Sequence, residues 1–156
     1  MDEWKQMISV ANIFSDATKI LEAVQSALDT KLGEAKNLSL RTVIPVIVLK
    51  SFACEMYLKS QLSHNGNTSI PRQHNLYELY RNLNSQTKTK INKKLKSKMI
   101  MVNHNYKIDD IDRDIQGVSK AFEQWRYFYE DSYSIDLQFL NVFYDTLMDP
   151  SIRPPL

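Results

Sequence analysis

Arg126 stands in the run Trp125-Arg126-Tyr127-Phe128-Tyr129-Glu130-Asp131, with Glu123 three residues before it and Glu130 four residues after. A guanidinium held between carboxylates on one helix stripe presents a planar fork of donors, suited to a phosphate or carboxylate. The same spacing also makes two helix-surface salt bridges, each worth roughly a few tenths of a kcal/mol. Both readings stand on the residues alone. Tyr127 lies at the edge of this stripe, while Val118, Ala121, Phe122, Trp125, Phe128 and Tyr129 form an apolar stripe expected to face the core.

Glu55 is the second candidate. It sits amid apolar residues and precedes Lys59 by four, the favourable order for a helical ion pair. A buried carboxylate needs a partner; an arginine from another helix, Arg126 for example, would supply one. His74 follows a polar loop and reads as the start of a helix, where a histidine can hydrogen-bond, with proton transfer as its alternative role. His64 and His104 fall in polar segments and read as solvated. No pair of these histidines has metal-ligand spacing on one helix, and no Gly-rich phosphate loop or nucleophile motif occurs. Neither a metal nor a cofactor is expected.

Charge supplies the third candidate. The net charge is only +2, yet no acidic residue occurs from Leu79 to Ile108. Arg81, Lys88, Lys90, Lys93, Lys94, Lys96, Lys98 and Lys107 all fall there, and the acids resume at Asp109, Asp110, Asp112 and Asp114. A localised basic face is the footprint of a polyanion or an acidic partner, and lysines also simply solubilise a helix. Lys90, Lys93, Lys94, Lys98 and Arg126 are the candidate binding residues.

The elements that must position these side chains are helical. At 156 residues, with 43% apolar and 24% charged residues, the chain has an ordinary globular composition. Only three glycines and five prolines occur, too few for the turns of a sandwich or barrel. One helix is predicted over about 3–30, with Trp4, Met7, Ile8, Ala11, Phe14, Leu21, Val24 and Leu28 at helical spacing and Gly33 as its stop. A central helix over about 43–63 follows, with Thr42 as cap and Pro45 in the first turn. It is apolar on most sides and so enclosed by the others.

Residues 63–71 form the clearest loop. Helices are then predicted over about 74–84 and 87–102, the latter with a seam of Ile91, Leu95, Met99 and Val102. Residues 103–114 read as a polar loop. A fifth helix is expected over about 115–131 and a sixth over about 135–148, carrying Leu137, Leu140, Phe143, Tyr144 and Leu147 and ending at Asp149-Pro150. The expectation is an all-α, up-and-down bundle of five to six helices, one domain over 1–150 with a short Pro-rich tail over 151–156.

The single cysteine, Cys54, lies in an apolar run and reads as a small buried hydrophobe. No run approaches about 18 apolar residues, and Asp2-Glu3 is acidic where a signal peptide is basic. A cytoplasmic protein without membrane partners is expected.

Phe52-Ala53-Cys54-Glu55-Met56-Tyr57-Leu58-Lys59, then His74-Asn75-Leu76-Tyr77-Glu78-Leu79, then Phe122-Glu123-Gln124-Trp125-Arg126-Tyr127-Phe128-Tyr129-Glu130 form a succession. Over about residues 43–148 it resembles HEPN domains, small helical bundles of prokaryotic defence, toxin–antitoxin and phage-conflict systems. The resemblance implies a homodimer. Active members of that family are metal-independent RNases that use an arginine followed, after four to six residues, by a histidine. Arg126 matches the arginine, but Asp131, Ser132 and Tyr133 occupy the histidine positions. An acid there repels phosphate and lacks the proton a histidine supplies.

The resemblance therefore implies a nuclease-inactive binding module that meets RNA or an acidic protein through the lysine helix or the Arg126 face. One alternative is an RNase with a rearranged site drawn from Arg126, His74, Tyr127 and Glu55. Another is a structural homo-oligomer with Trp125 and its neighbours at the interface, where aromatics and arginine are favoured.

Overall fold

The computed structural model describes residues 2–29, 35–66, 74–119 and 136–153. Among them stand six α-helices, one 3-10 turn and no strand, an all-α bundle. The α-helices are α1 (Glu3–Asp29), α2 (Ala35–His64), α3 (Leu76–Arg81), α4 (Ser85–Val102), α5 (Ile111–Gly117) and α6 (Leu137–Leu147), with the 3-10 turn over Ile108–Asp110. Also among these residues, no helix is long and apolar enough to cross a membrane.

The first two helices form an antiparallel pair. Trp4 meets His64 edge-on at 4.9 Å and Phe14 stacks on Phe52 at 5.1 Å, while Glu22 pairs with Lys50. Ile8, Ala11, Ser15 and Thr18 are the buried side of α1. Val24, one of the apolar residues whose spacing predicted the helix, is 44% exposed. Helix α1 carries more apolar residues than one buried face can hold, so part of its apolar surface is left on the outside.

The central helix begins at Ala35, about two turns before its predicted start. Thr42 is therefore not a cap, and Pro45 stands in the helix interior. A proline there removes the bond to the carbonyl of residue 41. Pro45 is on the exposed face, where solvent can hydrate that carbonyl, so the helix continues through it. From Lys50 to Leu62 nearly every residue is buried. Gly66 ends the helix with φ of 84°, its N–H donating to the Ser63 carbonyl at 3.1 Å. That left-handed conformation suits glycine.

The short α3 is capped by Asn75, whose side chain accepts from the Glu78 N–H at 3.1 Å. Asn84 caps α4 in the same way from Thr87, at 2.8 Å. Ile91, Leu95 and Met99 form the seam of α4, as predicted, but Val102 is 47% exposed. Leu137 is likewise 37% exposed at the start of α6. Both stand on terminal residues of their helices, where the covering neighbours stop.

Residues 103–114 are not simply a loop. The 3-10 turn and most of α5 lie there, anchored by buried Ile111 and Ile115 at i, i+4. The predicted fifth helix is interrupted after Gly117, where Val118 and Ser119 form a buried turn. The Ser119 carbonyl accepts the Leu76 N–H at 3.1 Å, which ties the end of α5 to the start of α3. The aromatic stripe from Ala121 to Tyr129 lies outside the described residues.

Helix α6 closes the core with Phe139 stacked on Phe143 at 5.9 Å, both fully buried. Asp136 caps it by accepting from the Phe139 N–H at 2.9 Å. It runs antiparallel to α4: Lys98 Nζ donates to the Asp145 carbonyl at 2.7 Å and Lys94 pairs with Asp149 at 3.0 Å. The tail folds back, burying Ile152, while Arg153 donates to Asn12 Oδ1 at 2.8 Å.

Replacing Phe143 by alanine leaves a cavity between α6 and its neighbours and is expected to cost about 3–5 kcal/mol, read from the urea midpoint. Asp149 generates an acid-side prediction. Hydrogen bonds from Ser151 and Lys94 hold its carboxyl well below the ordinary range. A depressed folded-state pKa adds stability above the unfolded value of about 4, lost as pH falls below it. Asp149→Asn should therefore show a shallower loss of thermal stability than the wild type between about pH 5 and about pH 2.

Candidate functional site

Helix α2 is enclosed, so its polar residues must find partners inside the bundle. Ser51 donates to the Ile47 carbonyl at 2.9 Å, Ser60 to the Tyr57 carbonyl at 2.6 Å, and Gln61 to the Tyr57 hydroxyl at 2.7 Å. Lys50 is buried and donates to Asn141 Oδ1 at 2.8 Å, beside its ion pair with Glu22 and 5.2 Å over the Tyr144 ring. Sequence reasoning did not single out Lys50. The signal was a lysine placed one turn before Cys54 in an otherwise apolar run.

Glu55 is the centre of the main cluster. Its side chain is 1% exposed. Lys59 Nζ donates to Oε1 at 2.7 Å, the i, i+4 pair expected from the sequence. His74 Nδ1 lies 3.0 Å from both carboxylate oxygens. A carboxylate only accepts, so the ring donates from Nδ1, which fixes the histidine's tautomer and ring plane. The His74 side chain is 45% exposed and Lys59 is 11% exposed. The cluster thus runs from the core to the surface, and the Glu55 partners described here are Lys59 and His74. Arg126 and Tyr127, the other two candidates for this site, lie outside the described residues.

His74 reaches Glu55 because of local chain geometry. It is the residue before the Asn75 cap, and the Leu76 N–H is held by Ser119. The histidine is therefore aimed back at α2 by two fixed hydrogen bonds. Asn75 and Ser119 were not among the sequence candidates; the Asn-x-x-Glu start of α3 was the available signal for the first.

The lysine helix divides by role. Lys94 and Lys98 pair with Asp149 at 3.0 and 3.6 Å. Lys88 lies over the Tyr80 ring and donates to the Arg81 carbonyl. Lys90 and Lys93 are exposed and Lys96 half-buried, and among the described residues none of these three meets a carboxylate. Thr89, Asn92, Lys93, Lys96, Ser97 and Ile100 line one groove along this outward face. Of the predicted binding residues, Lys90 and Lys93 are thus available to a ligand, while Lys94 and Lys98 are engaged in holding α6.

The remaining candidates are structural or peripheral. Cys54 is fully buried and its thiol is pushed up by desolvation, so it is not a thiolate nucleophile. His64 is exposed, as expected, at the last residue of α2, with one side of its ring against Trp4. His104 is exposed. Among the described residues no group of three His, Cys, Asp or Glu side chains converges to hold a metal ion. In comparisons with known proteins, no family model, curated protein or solved structure matches the chain.

Replacing Glu55 by glutamine leaves the enclosed Lys59 ammonium without its counter-charge. The expected cost is about 3 kcal/mol. The double variant Glu55→Leu, Lys59→Met removes both charges and should recover most of that loss, measured by urea denaturation of all three proteins.

Proposed function

We propose that the chain is a nuclease-inactive, HEPN-like module that binds RNA through the outward face of α4. The observation that carries this reading is the set of Lys90, Lys93 and Lys96. They share one helix face, and no carboxylate among the described residues neutralises them. Their neighbours Thr89, Asn92 and Ser97 add neutral hydrogen-bonding groups suited to phosphate and sugar oxygens. A single helix face of this kind binds backbone charge rather than base sequence, so affinity should depend steeply on salt.

The absence of cleavage is supported by the residues after Arg126, where Asp131, Ser132 and Tyr133 replace the histidine of the resembled RNases. The prokaryotic defence or toxin–antitoxin setting rests on the HEPN resemblance alone. The pairing of Glu55, Lys59 and His74 suits that resemblance, because two of its motifs meet there.

Fluorescence anisotropy with a labelled single-stranded RNA tests the binding. Tight, salt-sensitive binding is expected for the wild type. For Lys90→Ala, Lys93→Ala, Lys96→Ala combined, the slope of log K against log salt should fall by about 2 if all three touch phosphate. Lys94→Ala, a lysine already paired with Asp149, should change binding much less. No RNA binding at low salt, with capture of an acidic protein instead, would replace RNA by that partner.

One observation bears on the RNase alternative. Glu55 orients the His74 ring and commits Nδ1, so any proton transfer by this histidine must run through Nε2. Incubation of total RNA with wild type, Arg126→Ala and His74→Ala distinguishes the readings. No cleavage by any of the three is expected; wild-type cleavage abolished in both variants would establish the rearranged nuclease.

A further inference from the structure

Arg153 is a half-buried charge without a counter-charge. Its Nη1 donates to Asn12 Oδ1 at 2.8 Å and its Nη2 lies 3.9 Å from the Met148 sulfur, both neutral partners. Its Nε is enclosed and has no hydrogen-bond partner. Among the described residues no carboxylate pairs with it, whereas the two buried lysines each have one, Glu22 for Lys50 and Glu55 for Lys59. A partly enclosed cation in neutral company is costly, so the surroundings of Arg153 indicate what completes it.

Arg153 lines a small cavity of about 140 Å³ between the end of α2, the start of α4 and the folded-back tail. His64 and Asn65 line it from the α2 side and Gln86, Thr87 and Lys90 from α4, and no carboxylate among the described residues does. Lys90 and Arg153 thus supply two cations, and the amide, hydroxyl and imidazole groups supply further donors. Asn84 already closes the first turn of α4 through Thr87, so side chains rather than the helix end carry the site. The volume is that of about five waters. A phosphate group, with five heavy atoms, fits it; a base with its sugar does not.

The cavity is also the end of a track. Lys90 and Ile152 line both it and the next groove, which Lys93, Lys94, Ser97 and Ser151 complete. Lys93 and Ser97 in turn line the α4 groove proposed above to take RNA. A strand lying along α4 therefore reaches this cavity with one of its ends. An end phosphate is a monoester, with roughly twice the charge of an internal diester near pH 7 and three free oxygens.

Resting on the RNA reading of α4, we propose that the Arg153 cavity is an end-phosphate site: it takes the terminal phosphate monoester of an RNA strand whose backbone follows the lysine face. Lys90 and Arg153 balance the charge of the phosphate, and His64, Gln86 and Thr87 offer donors to its oxygens. A strand with hydroxyl ends uses the α4 groove alone.

Competition anisotropy with unlabelled RNAs of one sequence, ending in a 5′-phosphate, a 3′-phosphate or hydroxyls only, tests the proposal. One phosphorylated strand should compete about tenfold more strongly than the hydroxyl strand. Arg153→Gln and Gln86→Glu should each erase that difference while keeping most of the affinity for the hydroxyl strand. Gln86 is exposed and an acid in the first turn suits a helix, so folding is not at stake in the second variant. In parallel, inorganic phosphate titrated into isotope-labelled protein should shift the Arg153 Nε–H resonance of the wild type and not that of Gln86→Glu. Equal competition by all three strands would overturn the end-phosphate site and leave the RNA reading standing, as would a phosphate preference that survives both substitutions. If no RNA binds, the RNA reading fails and the inorganic phosphate decides the cavity: a shift at Arg153 retains it as a site for a small free phosphate, and no shift removes it.

Discussion

The Glu55 carboxylate is enclosed at the middle of a helix that has neighbours on nearly every side, and much of the architecture follows from satisfying it. An enclosed carboxylate without partners is destabilising by several kcal/mol. Lys59 answers it from one turn further along α2, and His74 from the residue ahead of the α3 cap. The second contact is the more consequential, because it fixes where the chain must re-enter the bundle. Asn75 caps α3 at that point, and Ser119 closes the arrangement from α5. The buried charge thus ties α2 to the start of α3, and α5 is tied to that same start through Ser119.

The same logic separates the lysines. Inside the bundle, each charge has a counter-group: Lys50 has Glu22 and Asn141, and Lys59 has Glu55. At the α4–α6 seam, Lys94 and Lys98 share Asp149, while Lys98 also meets a carbonyl near the C-terminal end of α6, where a cation is favoured. What remains is an outward strip of cations on α4. The basic run in the sequence is therefore partly structural glue and partly a ligand-facing surface, and only the second part supports the proposed function.

Much of this was legible in the sequence. Helical periodicity gave the helices of α1, α4 and α6 to within a few residues, and the Glu55–Lys59 spacing predicted their ion pair. The start of α2 was missed because Pro45 reads as a first-turn residue, whereas its exposed position lets the helix pass through it. The start of α5 was missed because Ile111 stands among the acids of a polar segment, and the break after Gly117 because Val118 continues the apolar spacing into the predicted fifth helix. The partnership of Glu55 with His74 joins residues nineteen apart in the chain, and no local rule encodes it. The outer stripe of α1 was hidden for the opposite reason: apolar residues at helical spacing are ordinarily assigned to the core, and α1 has them on both sides.

The most direct test of the central claim is an NMR titration of isotope-labelled protein with a short single-stranded RNA, followed by amide shifts along the chain. The account predicts perturbations concentrated on α4 between Thr89 and Ile100, with Lys90, Lys93 and Lys96 foremost and the Glu55–His74 cluster unmoved. Perturbations centred on His74 and the start of α3, with α4 unaffected, would contradict it.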